Sequence, residues 1–159
     1  MMKHLFARVF HSQRGRAGHI MLEFALGSGL LVAAFGGTFG FGYTFYQYNS
    51  LANAVNDGAR YASLRPYNST TTTPKPDFLL AVQNMVVYGN PAGGTVPFAP
   101  GLKTDQVQLK PTFSSTVAGV PTAMTVYING YQIDGMFARN TLNNKPQVTY
   151  PYVGIYSPY

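Results

Sequence analysis

One long stretch without charged residues does most to limit what this chain can fold into. After Glu23 the next charged residue is Asp57, and the apolar part runs from about Ile20 to Phe45 with only Glu23 interrupting it. A helix that crosses a bilayer needs roughly 20 mostly apolar residues, whereas a cleaved secretory signal has an apolar core of only about 7–15. The stretch therefore predicts a retained, single-span membrane anchor in contact with the lipid bilayer.

The composition agrees with a membrane segment and limits the kinds of site. Charged residues make up 10% of the 159 residues, whereas a soluble domain carries about 25%. There is no cysteine, which excludes disulfides and thiolate metal sites. All three histidines precede the span, and the acids beyond it lie far apart in sequence. We therefore expect no catalytic residues, no metal, no cofactor and no small-molecule substrate.

The positive charge is concentrated near the N-terminus. The net charge is +6, and residues 1–18 contain no acid but several basic side chains: Lys3, Arg8, Arg14 and Arg16. A nucleic-acid-binding domain would spread its basic residues over a folded face, so we expect no nucleic-acid partner. Basic flanks of membrane helices stay in the cytoplasm, which predicts that the chain after about Asn49 lies outside it. The expected location is the inner (cytoplasmic) membrane.

Small residues recur along the predicted span at intervals of four. One row is Ala25, Gly29, Ala33 and Gly37, and a second is Gly36, Gly40 and Thr44. Such rows let helix backbones approach closely within a membrane, so we interpret them as helix-packing positions. The alternative is the general enrichment of glycine in membrane helices.

A carboxylate lies at the inner edge of the span, shortly after a glycine that ends the basic leader. Glu23 is the fifth residue after Gly18 and is followed by Phe24. A carboxylate costs on the order of 2–3 kcal/mol at mid-bilayer, so such residues are usually functional, paired or close to the interface. The pattern resembles a class III signal, which prepilin peptidases cut after the glycine while the apolar segment is kept. The resemblance implies cleavage between Gly18 and His19.

Cleavage there would give Glu23 a partner. The new amino group of His19 on a neighbouring subunit can pair with this carboxylate, which would offset the burial of both charges and set the axial register. The alternative is an interfacial glutamate without a partner.

A second pattern joins this start to the chain beyond the span. It includes Leu22–Leu26, Phe39–Gly42 and a helix end that reads Gly58-Ala59-Arg60-Tyr61-Ala62. From about Ala17 to Leu64 the chain resembles the TadE-like pilus-assembly proteins. The resemblance implies a non-enzymatic pseudopilin or minor pilin of the tight-adherence pilus system. Its implied partners are a prepilin peptidase, other pilins or pseudopilins and an inner-membrane assembly platform.

The predicted fold class is α+β and pilin-like, with a long N-terminal transmembrane helix that extends into a small domain. An apolar stripe recurs at helical spacing through Leu51, Val55, Gly58 or Ala59, and Ala62, and Pro66 should end the helix near Leu64. We divide the chain into four segments: a cleaved basic leader (1–18), the membrane and amphipathic helix (19–65), a linker (66–76) and an extracytoplasmic α+β domain (77–159).

The last segment is predicted to hold one short helix and three or four antiparallel strands. Asp77 can cap a helix that ends near Tyr88, with Gly89 as its stop. Apolar and polar residues alternate in three places, which indicates strands with one buried face: 106–110, 124–129 and 148–152. We interpret the many tyrosines as half-buried sheet residues, with an adhesive surface as the alternative.

Several alternatives stay open at this point. Arg60 is either a partner contact or a solvated cation near a helix end, and Asn68-Ser69-Thr70 matches a glycosylation acceptor that also arises by chance. Two rival functions are a membrane-anchored binding domain with an uncleaved anchor, and a pseudopilin of a type II secretion or type IVa system. Cleavage after Gly18 would exclude the first rival, and the Gly58–Ala62 motif argues against the second.

Overall fold

The structure is a computed structural model that describes residues 13–115, 119–135 and 139–157, with side chains from Gly18 onward. Lys3, Arg8 and Tyr159 lie outside the described residues, as do the side chains of Arg14 and Arg16. The elements in chain order are α1 (Gln13–Leu64), α2 (Pro76–Tyr88), a 3-10 turn (Thr104–Gln106), β1 (Val107–Phe113), β2 (Pro121–Ile128), β3 (Tyr131–Asp134), β4 (Arg139–Leu142) and β5 (Gln147–Pro151).

Helix α1 is continuous over 52 residues, a length of about 78 Å at 1.5 Å per residue. Within the described residues it is the helix long and apolar enough to cross a membrane, with a mean hydropathy of 1.7 in a window of which no residue is buried. The helix ends at Leu64, as predicted from Pro66, because the residue before a proline is disfavoured in helical conformation.

Helix α2 confirms the predicted short helix but corrects its start. It begins at Pro76 rather than at a cap formed by Asp77, and the N-cap residue Lys75 makes no side-chain capping bond. Proline suits the first helical position because the N–H it lacks would be unpaired there, and Asp77 in the first turn complements the positive end of the helix dipole. Gly89 ends the helix in the left-handed conformation (φ 70°), and its N–H donates to the Met85 carbonyl.

Three strands form an antiparallel sheet in the order β1-β2-β5. The central strand aligns Val126 with Leu109 on one side and with Val148 on the other. Met124, Val126 and Ile128 are fully buried on its inner face. The alternation read from the sequence therefore locates all three of these strands.

A separate two-stranded hairpin, β3–β4, was missed by the sequence reading. It pairs Tyr131 with Leu142 and Asp134 with Arg139. Each of its strands has only four residues, too few for alternation to stand out from chance. The α+β class is confirmed, and the described strands divide into sheets of three and two.

The core forms where the last third of α1 meets α2 and the inner face of the larger sheet. The predicted apolar stripe of α1 is confirmed, since Leu51, Val55, Ala59 and Ala62 are all fully buried. Val82 and Val86 of α2 are fully buried in the same cluster. Burying one such valine or leucine contributes roughly 1.5–3 kcal/mol, which is enough for this patch to fix the domain on the helix.

The segment between α1 and α2, predicted as a linker, packs onto the domain. Tyr67 is buried, its ring lies edge-on 5.8 Å from that of Phe78, and its backbone N–H donates to the Tyr152 hydroxyl at 2.8 Å. Ser69 is also buried and donates to the Thr73 carbonyl. Asn68 is half-buried with its side-chain oxygen shielded from solvent.

Candidate assembly interface on the first helix

The proposed cleavage position lies inside α1. The helix runs without a break from Gln13 through the proposed position. Gly18 and His19 are both exposed. Removal of the residues before His19 would leave the first four mature N–H groups without helical acceptors. These groups, the first of which is the new amine of His19, would make that end of the helix a concentrated positive site.

Glu23 lies one turn beyond this position with its carboxylate open to the surroundings. Its Oε1 is 3.7 Å from Nε2 of His19, and the two side chains are 70% and 72% exposed. An exposed pair four residues apart on a helix contributes only about 0.3–0.5 kcal/mol even when both groups are charged. This local contact therefore leaves Glu23 available to a stronger partner.

The predicted packing rows lie on a single side of α1. Eighteen residues make about five turns of an α-helix, so Ala33 points in the same direction as Leu51 and Gly37 in the same direction as Val55, both of which face the domain. Ala25 and Gly29 are exposed, whereas Gly36, Gly37 and Gly40 are half-buried. A helix packing on these rows would therefore lie beneath the domain.

The opposite side of α1 is bulky. Phe24, Leu31 and Phe35 stand on it, and they border a shallow apolar depression at Gly27 and Ser28. All three of the large side chains are more than half exposed. From Gly29 to Thr44 the span thus presents one smooth side of small residues opposite a ridged side, whereas nearer the N-terminus Leu22 and Leu26 lie on the same side as the rows.

The hydroxyl groups in the span are satisfied within the helix. Ser28 donates to the Ala25 carbonyl, Thr38 to that of Ala34 and Thr44 to that of Gly40, each at 3.0 Å. Lipid offers no hydrogen-bond partners, so these internal bonds remove the cost of placing hydroxyls in hydrocarbon. The hydroxyl groups of these three residues are therefore compatible with an apolar environment.

The Gly58–Ala62 motif has a packing role that its sequence did not reveal. A Cβ atom at Gly58 would overlap the Cγ2 atom of Val86 and lie 3.7 Å from the Val82 carbonyl. Ala59 and Ala62 are fully buried. The small residues of the motif therefore let α1 and α2 approach closely.

The two large residues of the motif lie at the edge of the core. Arg60 is exposed, and Tyr61 is half-buried with the Arg65 guanidinium carbon 4.8 Å from the centre of its ring. Of the five motif residues, Gly58, Ala59 and Ala62 belong to the core, whereas Arg60 is exposed and available for a contact outside the domain.

Tyr150 and Tyr152, near the C-terminus, make hydrogen bonds within the fold. The Tyr152 hydroxyl lies within hydrogen-bonding distance of the Arg65 and Ile155 carbonyls, and that of Tyr150 donates to Asn56 Oδ1 at 2.9 Å. Burial raises the pKa of Tyr67 and of Tyr152 above 10. In the part of the chain that the structure describes, no group of three or more His, Cys, Asp or Glu side chains comes together.

The N-terminal segment matches a protein family. Residues 18–60 match the model of the family described as TadE-like protein. This segment is TadE-like. The match begins at the glycine before the proposed cleavage position and ends within the Gly58–Ala62 motif, so it covers the exposed half of α1 and the start of its buried half. No curated protein and no solved structure matches the chain.

Proposed function

We propose that this chain is a non-enzymatic pseudopilin or minor pilin of a tight-adherence pilus system, cut by a prepilin peptidase between Gly18 and His19. It is anchored in the inner membrane through α1, with the domain outside the cytoplasm. It acts with other pilins and an assembly platform to build or prime a surface filament.

The observation that carries the proposal is the placement of the TadE-like segment. Residues 18–60 include the glycine, Glu23, the exposed apolar helix and its entry into the core. The family description supports a role in pilus assembly. An exposed helix of this length, whose last third is part of the core of a small domain, suits a subunit that moves from a membrane into a bundle of similar helices.

Glu23 provides the register in this proposal. The mature amine at His19 of one subunit pairs with the Glu23 carboxylate of its neighbour once both are removed from water. Leaving either charge unpaired in an apolar bundle costs about 3–5 kcal/mol, so neighbouring helices are held where the pair forms. Phe24, exposed beside Glu23, packs against the adjoining helix.

The small rows supply the close contact. Ala25, Gly29, Ala33 and Gly37, with Gly36 and Gly40, form the smooth side of α1 on which a neighbouring helix packs. Without a hydrophobic drive between helices in lipid, association depends on close backbone approach of this kind.

Intact-mass measurement of the protein extracted from membranes tests the proposal. We expect a chain that begins at His19 in cells with a prepilin peptidase and the full chain in cells without it. Gly18→Leu should keep the leader, because a side chain there obstructs the approach of the peptidase to the backbone.

The leader offers a matched control at Gly15, three residues upstream of the proposed cut. Gly15→Leu places the same side chain in the same leader and should still give the chain that begins at His19. A full-length mass in the presence of the peptidase contradicts the proposal and indicates a membrane-anchored binding domain instead.

A further inference from the structure

An open apolar groove lies between α1 and the β3–β4 hairpin. Its α1 side lies within the segment that matches the family, and its hairpin side lies outside that segment. It has a volume of about 220 Å³ and presents only apolar surface. Its walls are Phe41, Thr44, Phe45 and Tyr48 of α1, and Ile133, Asn140 and Leu142 of the hairpin. The Thr44 hydroxyl donates to the Gly40 carbonyl, so it adds no unpaired polar group. We call this feature the interfacial groove.

The position of the groove relative to the bilayer follows from helix geometry. A hydrocarbon layer of about 30 Å takes about 20 helical residues, so a span that starts at Phe24, after the carboxylate, leaves the hydrocarbon near Tyr43. The headgroup region adds about 5–7 Å, or roughly four more residues. The α1 wall, Phe41 to Tyr48, therefore lies at the outer interface.

The residues around the groove have the chemistry of that layer. Tyr43, Tyr46 and Tyr48 are exposed on α1 at this level, and rings with one polar end settle at membrane interfaces. At the far end of the hairpin, Arg139 Nε lies 2.8 Å from Asp134 Oδ1 and both side chains are largely exposed. Among the described residues, those that line the groove are all uncharged.

The groove is continuous with the apolar surface of the span. Phe41 and Phe45 are 68% and 66% exposed, and any bilayer that surrounds the span also contacts them. Water in a groove without polar partners is unfavourable, whereas burial of apolar surface gains roughly 25 cal/mol per Å². A flexible acyl chain fits an open groove that borders the lipid directly.

We propose that the β3–β4 hairpin is a second membrane contact of this chain, and that the interfacial groove holds an acyl chain of an outer-leaflet phospholipid. This inference rests on the membrane anchoring proposed above. The hairpin then fixes the height of the domain above the bilayer. The buried Ile133 and the half-buried Leu142 form the hairpin wall that the acyl chain contacts.

The absence of cysteine makes the test direct, because any introduced cysteine is unique. Asn140→Cys places a fluorescent label at the groove, Val32→Cys places one in the span and Thr112→Cys places one on the exposed side of the larger sheet. The full chain is inserted into phosphatidylcholine–phosphatidylglycerol vesicles with a quencher attached to the acyl chain either near the headgroup or near the chain end.

We expect the shallow quencher to act most strongly on the label at position 140 and the deep quencher on that at position 32. Neither should act on the label at position 112. If only the label at position 32 is quenched, the anchor stands and the hairpin proposal is overturned. If the label at position 32 is not quenched either, the anchoring fails and the hairpin proposal fails with it.

A charge substitution provides a second test with a neighbour as its control. Asn140 faces the groove, whereas Thr141 points to the opposite side of β4 because successive strand residues alternate. With the label at Tyr48→Cys, Asn140→Asp should reduce quenching by the shallow quencher at least twofold, and Thr141→Asp should not. Equal effects of the two substitutions, or none, contradict lipid occupancy of the groove.

Discussion

The two ends of α1 use small residues for different purposes. In the exposed half, Gly29 and Gly42 have nothing within 4 Å of the position that a Cβ atom would take. In the buried half, the Cβ position of Gly58 is already occupied by the side chain of Val86. Glycine in the first half is therefore free to receive a partner from another chain, whereas glycine in the second half already has its partner within this one.

This difference explains how one continuous helix can lie in two different environments. The half that precedes Gln47 has apolar side chains that nothing in the described structure covers, whereas the half that follows contributes Leu51 and Val55 to the core. The first half requires lipid or other helices around it. The second half fixes the domain to the helix through this shared core.

The strongest test of this contrast is the loss of the carboxylate in the exposed half. Glu23→Ala should leave membrane insertion and the melting temperature of the domain unchanged, because Glu23 is exposed and far from the core. It should reduce incorporation into filaments by more than a hundredfold, since an unpaired amine in an apolar bundle costs about 3–5 kcal/mol.

Recovery of the chain with sheared surface filaments measures this effect. Ser28→Ala, which removes a hydroxyl already bonded within the helix, is the control and should assemble normally. Normal filaments in Glu23→Ala cells contradict the pairing.

The second test addresses the buried half. Gly58→Val forces a side chain into the space of Val86, and overpacking of this kind costs about 1–3 kcal/mol. For a domain of this size we expect the melting temperature in detergent to fall by about 4–8 °C per kcal/mol. Gly42→Val is the matched control in the exposed half and should leave the melting temperature unchanged. Equal melting temperatures would show that α1 and α2 do not depend on close approach at Gly58.

A smaller effect is expected from the packing rows. Gly29→Leu should weaken association between helices several-fold, because a large side chain separates the backbones, without changing the stability of the domain. Gly27→Leu places the same side chain on the ridged side of α1 as the control. Cross-linking yields in membranes measure the association, and equal yields for the two variants would reject the smooth side as the contact.

The smallest effect concerns pH and is confined to the domain. Burial raises the pKa of Tyr67 and Tyr152 above 10, so the folded state holds these protons to higher pH than the unfolded chain does. Their contribution is complete below about pH 10 and is lost as the pH rises through the folded-state pKa. The urea midpoint of the chain in detergent should therefore fall as the pH is raised from about 10 upward. A midpoint that does not change over this range contradicts the raised values.

The sequence predicted those parts of the molecule in which a pattern repeats over many residues. Helix α1, the stripe through Leu51 and Val55 and three strands all rest on such repeats, whereas the end of α1 follows from Pro66 alone. The hairpin β3–β4 is too short to give a repeat, although Tyr131 and Ile133 alternate with polar neighbours. The contact of Gly58 with Val86 depends on how α1 packs against α2. The spacing of residues along one helix does not predict that packing.

The measurement that tests the central claim most directly is zero-length cross-linking of assembled filaments grown from equal amounts of isotopically light and heavy subunits. A carbodiimide joins a carboxylate to an amine only when the two are in contact. The account predicts an amide between the α-amine of His19 and the carboxylate of Glu23, with light–heavy pairs among the products. Cross-links confined to single chains, or N-terminal peptides that start at Met1 or Met2, would contradict it.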